Sequence, residues 1–426
     1  MNKTAATRRE TSTDYSTPHR PALIAALNRT LGALGIGCGE IDPEKLLNAA
    51  SHTAALADYG GDDFMARLSI LTASMNREAL LTPIGRFMAS RNIVRMLVNR
   101  LRIESAIKRD PCICDLPMQD PVFIIGLQRT GTTAMHRLIA SDDEKFRHLA
   151  SWEAINPAPY PGKENVPRDR DPRIFTARMG RRALEYLAPD FFAIHPVKEL
   201  DPEEDCLLFD YDFWSTVPEA TMRVPTYSLW LERQDHTAAY RYYKKVLSYL
   251  YSQHRQGRWI LKTPQHMEHL NELFTVFPDA RVIQTHRDPV RVIASFCSMI
   301  AHAYGIFSDE VDPTEIGRHW SGKAVLMVKR SLEARENYPP DRFIDIAYRD
   351  IVDDPESAVR KAYDTLGLPF SGDDALRIRR WKDDNPQHRF GRHRYRAADF
   401  GLDVSGLRKQ FLEYTRRFKI PEELDE

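Results

Sequence analysis

The chain has 426 residues, 42% of them hydrophobic, and is therefore long enough to bury a large core. Its 60 basic residues equal its 60 acidic residues, which excludes the overall positive field of a typical nucleic-acid-binding protein. The polar first twenty residues do not resemble a secretory signal, and no apolar run approaches the roughly eighteen residues of a membrane-spanning helix. Five scattered cysteines are typical of a reduced, cytoplasmic protein. We therefore expect no nucleic-acid partner and no integral membrane segment, while a homodimer stays open.

The N-terminal part of the chain predicts helices. Residues 1–20 lack an apolar pattern, so we expect a disordered tail there. Residues 21–110 carry apolar side chains at helical spacing, as in Phe64, Leu68 and Leu71. The sequence therefore predicts an N-terminal helical region in front of a different unit at 111–426.

Short apolar runs, each followed by a helical pattern, begin after Pro121. They are Val122–Ile125, Trp259–Leu261, Arg281–Thr285 and Arg342–Ile346. Strands that alternate with helices form a parallel sheet covered on both faces. The predicted fold class is α/β, with three layers and a central parallel sheet.

An aromatic-rich segment at about 152–257 interrupts this alternation. Such a segment suits the wall of an apolar acceptor pocket, and it equally suits the core of a helical insert.

The first predicted strand runs into a glycine-containing loop, residues 126–133, with the sequence GLQRTGTT. Gly126 and Gly131 allow a tight backbone turn, and the helix that follows adds a partial positive charge at its N-terminus. Thr132 and Thr133 add hydroxyl donors, and Arg129 adds a guanidinium. The pattern predicts an anion site.

This loop differs from the nucleotide-triphosphate P-loop at one position. The P-loop lysine follows the second glycine, where this chain has Thr132, and the cation has moved to Arg129. No strand ends in an aspartate that suits a metal-holding role. These features argue against a kinase or NTPase and for a site that works without metal.

Arg129-Thr130-Gly131-Thr132-Thr133 resembles the 5′-phosphosulfate loop of sulfotransferases that use 3′-phosphoadenosine 5′-phosphosulfate (PAPS). A second segment, residues 286–295, resembles the family's 3′-phosphate motif through Arg287 and Ser295. The resemblance covers about Pro121 to Leu368 and is nearest to the bacterial, tyrosylprotein-sulfotransferase-like branch. It implies a P-loop-type fold and PAPS as donor, with 3′-phosphoadenosine 5′-phosphate (PAP) as product.

Three further segments extend the resemblance. Tyr348 stands where the family has a tyrosine near the adenine, and Lys262, in an L-K-T-P-x-H segment, stands where a lysine lies near the transferred group. The resemblance also implies a basic C-terminal segment over the nucleotide, here represented by Arg392, although a solvated basic face fits the same residues. The predicted donor-binding residues are Gln128, Arg129, Thr130, Gly131, Thr132, Thr133, Arg287, Ser295, Tyr348 and Arg392.

The remaining catalytic requirement is a base for the acceptor's proton. Glu153 is the first candidate, because tyrosylprotein-type members use a glutamate after the first helix. His195 and His266 are rivals, with Glu203 and Glu204 as orienting carboxylates. Arg129 and Lys262 complete the predicted catalytic set by neutralising the leaving group.

The predicted function is therefore sulfuryl transfer from PAPS to a hydroxyl of a small-molecule, lipid or glycan acceptor, by in-line displacement without metal. Two alternatives are a P-loop kinase or NTPase and a non-catalytic PAP-binding protein.

Overall fold

The architecture is known from a computed structural model that describes residues 11–385 and 395–423. The strands are β1 (Val122–Ile125), β2 (Phe146–His148), β3 (Arg258–Lys262), β4 (Arg281–His286) and β5 (Phe343–Ala347). They form one parallel sheet in the order β2-β3-β1-β4-β5. The predicted central parallel sheet flanked by helices is confirmed. The sequence did not predict β2, because three residues are too few to show a strand pattern.

In the described part of the chain, four α-helices precede the sheet. They are α1 (Ala22–Ala33), α2 (Pro43–Ala54), α3 (Asp63–Glu78) and α4 (Pro83–Arg109). The starts of α2 and α4 follow from local sequence: Asp42 and Thr82 cap them through their side chains, and a proline follows each cap. Residues from α3 and α4 share one hydrophobic core with β1 and β3. The expected boundary near residue 110 therefore does not separate two independent cores.

The other helices alternate with the strands or lie between β2 and β3. From β1 to β3 they are α5 (Thr132–Ala140), α6 (Ser151–Ile155), α7 (Pro172–Leu187), α8 (Pro189–Ile194), α9 (Cys206–Phe209), α10 (Val217–Thr221), α11 (Pro225–Glu232) and α12 (Thr237–Gln253). After β3 they are α13 (Leu270–Val276), α14 (Pro289–Phe307), α15 (Pro313–Arg335), α16 (Tyr348–Asp353), α17 (Pro355–Leu366), α18 (Gly372–Asp384), α19 (Val404–Gln410) and α20 (Leu412–Arg417).

The sheet is buried on both faces, as the continuous apolar runs predicted. Along β1, Val122 and Ile124 pack into a core with α5 and α17, whereas Phe123 and Ile125 face the larger core shared with the N-terminal helices. This alternation is the two-residue period of a strand between two helical layers.

Residues 11–20 differ from the predicted disordered tail. Tyr15 is only 5% exposed and packs against Phe400 and His302. Arg20 forms an ion pair with Asp309 and donates to the Ser308 carbonyl. The sequence did not predict these contacts because the segment is polar and has no apolar stripe. One aromatic ring and one guanidinium hold it against the protein instead.

Helix α14 has the length and apolar composition of a membrane span. However, 72% of its most apolar window is buried inside the protein. It contacts α15, α10 and α4, which is the position of a core helix.

The strand order determines where the site lies. β1 is central, with β3 on one side and β4 on the other. In parallel α/β sheets, ligands bind beyond the carboxyl ends of the strands, near the point where the chain order reverses. The segments that leave β1, β3 and β4 therefore meet at one edge of the sheet.

Candidate active site

The loop between β1 and α5 has the geometry of an anion cradle. Gly126 and Gly131 adopt φ values of 149° and 92°, and a Cβ on Gly126 would lie 2.5 Å from the Thr285 hydroxyl. The nine-residue helix α5 begins directly after Gly131, so its free amide groups are directed towards the loop. Only glycine permits this close turn, and the loop can surround an anion with backbone donors.

Thr130 braces the loop from inside. It is fully buried, and its hydroxyl donates to the Leu127 carbonyl at 2.6 Å and contacts the Thr285 hydroxyl at 2.7 Å. Thr132 is buried on the first turn of α5, whereas Gln128 and Thr133 are partly exposed. Thr133 and the loop amides are therefore better placed than the Thr130 hydroxyl to contact a ligand.

Arg129 supplies the positive charge of the loop. Its backbone is left-handed, with φ of 69°, and its guanidinium donates to the Ile194 carbonyl at 3.3 Å. Burial lowers the pKa of Arg129. Within residues 11–385 and 395–423, no carboxylate forms an ion pair with this guanidinium. Among these residues its charge is therefore not paired with a carboxylate, which suits an incoming anion.

Lys262, at the end of β3, connects this loop to a carboxylate. The side chain is almost fully buried, and its Nζ lies 3.3 Å from the Thr133 hydroxyl and 2.5 Å from Oε1 of Glu204. The Glu204 side chain remains 25% exposed. The lysine predicted to lie near the transferred group is therefore beside the phosphate loop and paired with a glutamate that reaches solvent.

His195 follows α8 and lies in the same electrostatic environment. Burial lowers the pKa of His195 to about 4, Glu204 opposes this effect, and Lys262 and Arg129 add to it. The imidazole is therefore neutral near pH 7. Arg129, Lys262 and Glu204 are thus all close enough to His195 to act on its charge.

Glu153, the first sequence candidate for the base, has a different environment. It accepts hydrogen bonds from Arg147 at 2.8 Å, from Arg168 at 3.1 Å and from the Ala150 amide at 3.1 Å. Burial acts to raise the pKa of Glu153, but the two arginines prevail and lower it to about 2. A carboxylate saturated by these donors is a poor proton acceptor. The contacts therefore argue against the predicted base role and favour a structural one.

His266 is also internal. Its Nδ1 lies 2.7 Å from the Tyr240 hydroxyl and its Nε2 lies 3.0 Å from Oδ2 of Asp205, with no side-chain exposure. The Asp205 amide donates to the Lys262 carbonyl at 3.2 Å. Both imidazole nitrogens are occupied, so the contacts argue against His266 as base. Instead, it supports the segment that carries Glu204.

Arg287 marks the other end of the site, after β4. It stacks over the Tyr348 ring at 3.9 Å from the ring centroid, and it donates to the Arg129 carbonyl at 3.2 Å. Tyr348 in turn lies beside Gly131 of the loop. Ser295 is buried on the second turn of α14. Arg287 and Tyr348, predicted to bind the 3′-phosphate and the adenine, are thus joined to the loop by direct contacts.

A carboxylate near the C-terminus forms an ion pair with Arg287. Glu423 accepts from its Nε at 2.8 Å and from its Nη2 at 2.7 Å, and the Glu423 amide donates to Asp288 at 2.8 Å. Sequence reasoning missed this contact, and no local signal would have revealed it. Arg392, the predicted C-terminal donor contact, lies outside the described residues.

The arrangement provides two anion-binding groups and an acid–base pair at one sheet edge. The loop with Arg129 is one anion site, and Arg287 is the second, at present filled by a carboxylate. Between β3 and the loop, the Lys262–Glu204 pair combines a cation with a proton acceptor. This set suits transfer of an anionic group from a donor that carries phosphates at two ends.

Comparisons with known proteins identify similar chains. Residues 121–372 match the model of the Sulfotransferase family. The omega-hydroxy-beta-dihydromenaquinone-9 sulfotransferase Stf3 of Mycobacterium bovis is 28% identical over 260 residues, which are 58% of this chain and 63% of that protein. The match thus spans less than two thirds of the length of this relative.

Two crystal structures are similar over most of the chain. Sulfotransferase STF9 from Mycobacterium avium has a TM-score of 0.80 and 29% identity, with 90% of this chain and 98% of that one covered. Sulfotransferase STF1 from Mycobacterium tuberculosis H37Rv has a TM-score of 0.75 and 30% identity, with coverage of 87% and 98%.

Proposed function

Because this chain belongs to the sulfotransferase family, we propose that it transfers a sulfuryl group from PAPS to a hydroxyl of a small-molecule or lipid acceptor. One observation carries the proposal: the Lys262 ammonium lies between Thr133 of the phosphate loop and the Glu204 carboxylate. A cation and a base are thereby side by side where the transferred group of a loop-bound donor would be.

The described residues fit such a donor. The glycine-lined cradle and Arg129, which no described carboxylate neutralises, suit its 5′-phosphosulfate. Arg287 already holds a carboxylate, which the 3′-phosphate would replace. Tyr348, stacked beneath Arg287, offers an aromatic face for the adenine.

We assign the proton acceptor to Glu204. When the donor binds, the Lys262 ammonium leaves the Glu204 carboxylate and contacts instead the oxygen that bridges sulfur and phosphorus in PAPS. The freed carboxylate then removes the acceptor's hydroxyl proton. The acceptor oxygen forms a bond to sulfur, the bond from sulfur to the bridging oxygen breaks, and the electron pair leaves on the phosphate of PAP. Lys262 and Arg129 stabilise that charge.

His195 is proposed to position the acceptor beside this pair. The pKa of His195 is about 4, so its imidazole is neutral near pH 7. A neutral ring neither repels the Lys262 ammonium nor replaces it as the cation paired with Glu204. A neutral ring presents one donor and one acceptor to a hydroxyl group.

The kinase or NTPase alternative is not favoured. Thr132 stands at the P-loop lysine position, and the lysine comes instead from β3. A non-catalytic PAP-binding protein would not need the Lys262–Glu204 pair.

The acceptor class is proposed from one relative. Stf3 of M. bovis is named for a hydroxylated menaquinone derivative, which is a lipid. We propose that the acceptor of this chain is likewise a lipid or a similarly apolar alcohol. A cytoplasmic location is proposed from its five free cysteines.

Transfer of labelled sulfate tests the function. The protein would be incubated with ³⁵S-labelled PAPS and a lipid extract, in EDTA, and label in the lipid fraction would be measured. We expect labelled lipid from the wild type. We expect a loss of roughly 10²- to 10³-fold in Lys262→Met, which keeps the length but removes the charge. Undiminished transfer by Lys262→Met would contradict the mechanism, and phosphoryl transfer from ATP would contradict the function.

A further inference from the structure

Helix α1 and its C-cap residue Leu34 expose an apolar stripe. Leu23, Leu27 and Leu34 are 64%, 41% and 66% exposed. At 100° per residue these three leucines lie along one stripe of the helix. The other side faces the protein: Ile24 and Leu31 are half-buried there, and the buried Asn28 accepts a hydrogen bond from the Ile84 amide at 3.1 Å. Helix α1 therefore carries a second apolar stripe beyond the one that packs on the protein.

The exposed stripe continues onto neighbouring segments. After α1 the chain turns across Pro83, which lies 3.4 Å from a Cβ placed on Gly37, and Ile36 in that turn is 54% exposed. Phe87, one turn further along α4, is 64% exposed. We define the apolar face as Leu23, Leu27, Leu34, Ile36 and Phe87. Soluble proteins seldom expose such a cluster unless it binds a partner.

The segments that form this face carry charge of one sign. Residues 21–39 and 79–103, which form the face and the start of α4, contain no aspartate or glutamate. Arg29 and Arg91 are exposed on these segments, and Arg86 is half-buried. A second copy packed on the same face by two-fold symmetry would bring like charges together. Anionic lipid headgroups would instead meet both the apolar side chains and Arg91, which lies one turn after Phe87 on α4.

We propose that this face docks on an anionic lipid bilayer, with the leucines and Phe87 inserted at the headgroup boundary. The inference stands independently of the sulfuryl-transfer chemistry, because it rests on α1 and α4 alone. If the proposed function also holds, docking would keep the enzyme at the surface where a lipid alcohol resides.

Vesicle flotation tests the docking. The full-length protein would be mixed with vesicles of phosphatidylcholine alone or with about 30% phosphatidylglycerol, and the bound fraction would be measured. We expect binding to the anionic vesicles. The double variant Leu34→Ser/Phe87→Ser should lower the partition coefficient at least about tenfold, and Arg91→Glu should weaken binding to anionic vesicles specifically. Leu376→Ser, which alters a leucine 46% exposed on α18, is the matched control and should bind as the wild type does.

Three results would overturn the proposal. They are no flotation of the wild type with anionic vesicles, equal loss in the control variant, and a dimer in sedimentation velocity that the double variant dissociates. The last result would assign the face to a second copy of the chain. Because flotation requires neither PAPS nor an acceptor, failure of docking and failure of the proposed function are separate results.

Discussion

Replacing Glu423 with glutamine is expected to tighten the binding of PAP. Its carboxylate holds Arg287 through two hydrogen bonds of 2.8 and 2.7 Å, and a 3′-phosphate must displace it. Hydrogen bonds to charged groups contribute roughly 1.5–3 kcal/mol. The two side chains are 17% and 21% exposed, so we discount this for solvent screening to about 1–2 kcal/mol. The affinity for PAP should then rise about 5- to 30-fold.

Calorimetric titration with PAP and with AMP measures this effect. AMP lacks the 3′-phosphate, so its affinity should be the same in the wild type and in Glu423→Gln. Glu422→Gln is the matched control, since Glu422 pairs with Arg408 instead of Arg287. An unchanged PAP affinity in Glu423→Gln, or an equal gain for AMP, would refute the reasoning that Glu423 occupies the 3′-phosphate site.

The remaining predictions concern the catalytic end of the site. Glu204→Gln should retain PAP binding and lose about 10²- to 10⁴-fold in kcat, and full kcat in this variant would return the base role to His195. Glu153→Gln should lower the free energy of unfolding by about 2–4 kcal/mol in urea titrations, with kcat per folded molecule nearly unchanged. The pKa of Glu153 falls from 4.5 to about 2 on folding, so its stabilisation is complete above pH 4.5 and is lost towards pH 2; the wild type should show this acid-dependent loss and Glu153→Gln should not. Arg129→Ala should abolish transfer without changing the melting temperature, and an active variant would remove the loop from the donor site.

Most of the sheet was predictable because buried strands leave a continuous apolar run. The runs that became β1, β3, β4 and β5 are four to six residues long, whereas β2 has only Phe146–His148. The helical spacing of α3 and α4 was equally clear. The sequence could not indicate that Leu23, Leu27 and Leu34 would face outward, because an apolar stripe does not reveal which way it faces.

The candidate site, like the fold, could be predicted from the sequence only in part. Residues within motifs, such as Arg129, Lys262 and Arg287, lie at or shortly after the carboxyl ends of strands, so the strand order brings them together. Glu204 appeared only as an orienting carboxylate, because its pairing with Lys262 joins residues 58 positions apart. Glu153 was favoured as the base because of its position in the chain. Its carboxylate is instead engaged by arginine side chains, and sequence spacing does not reveal such contacts.

The contact of Glu423 with Arg287 spans 136 residues and depends on the path of the C-terminal segment. Such contacts depend on tertiary packing, which local pattern and motif spacing do not encode.

Calorimetric titration of the full-length protein with PAP and, separately, with ATP in EDTA tests whether the phosphate loop binds a PAPS-type donor. We predict saturable binding of PAP at a single site, with little binding of ATP. No binding of PAP, together with ATP binding that appears when magnesium is restored, would contradict it.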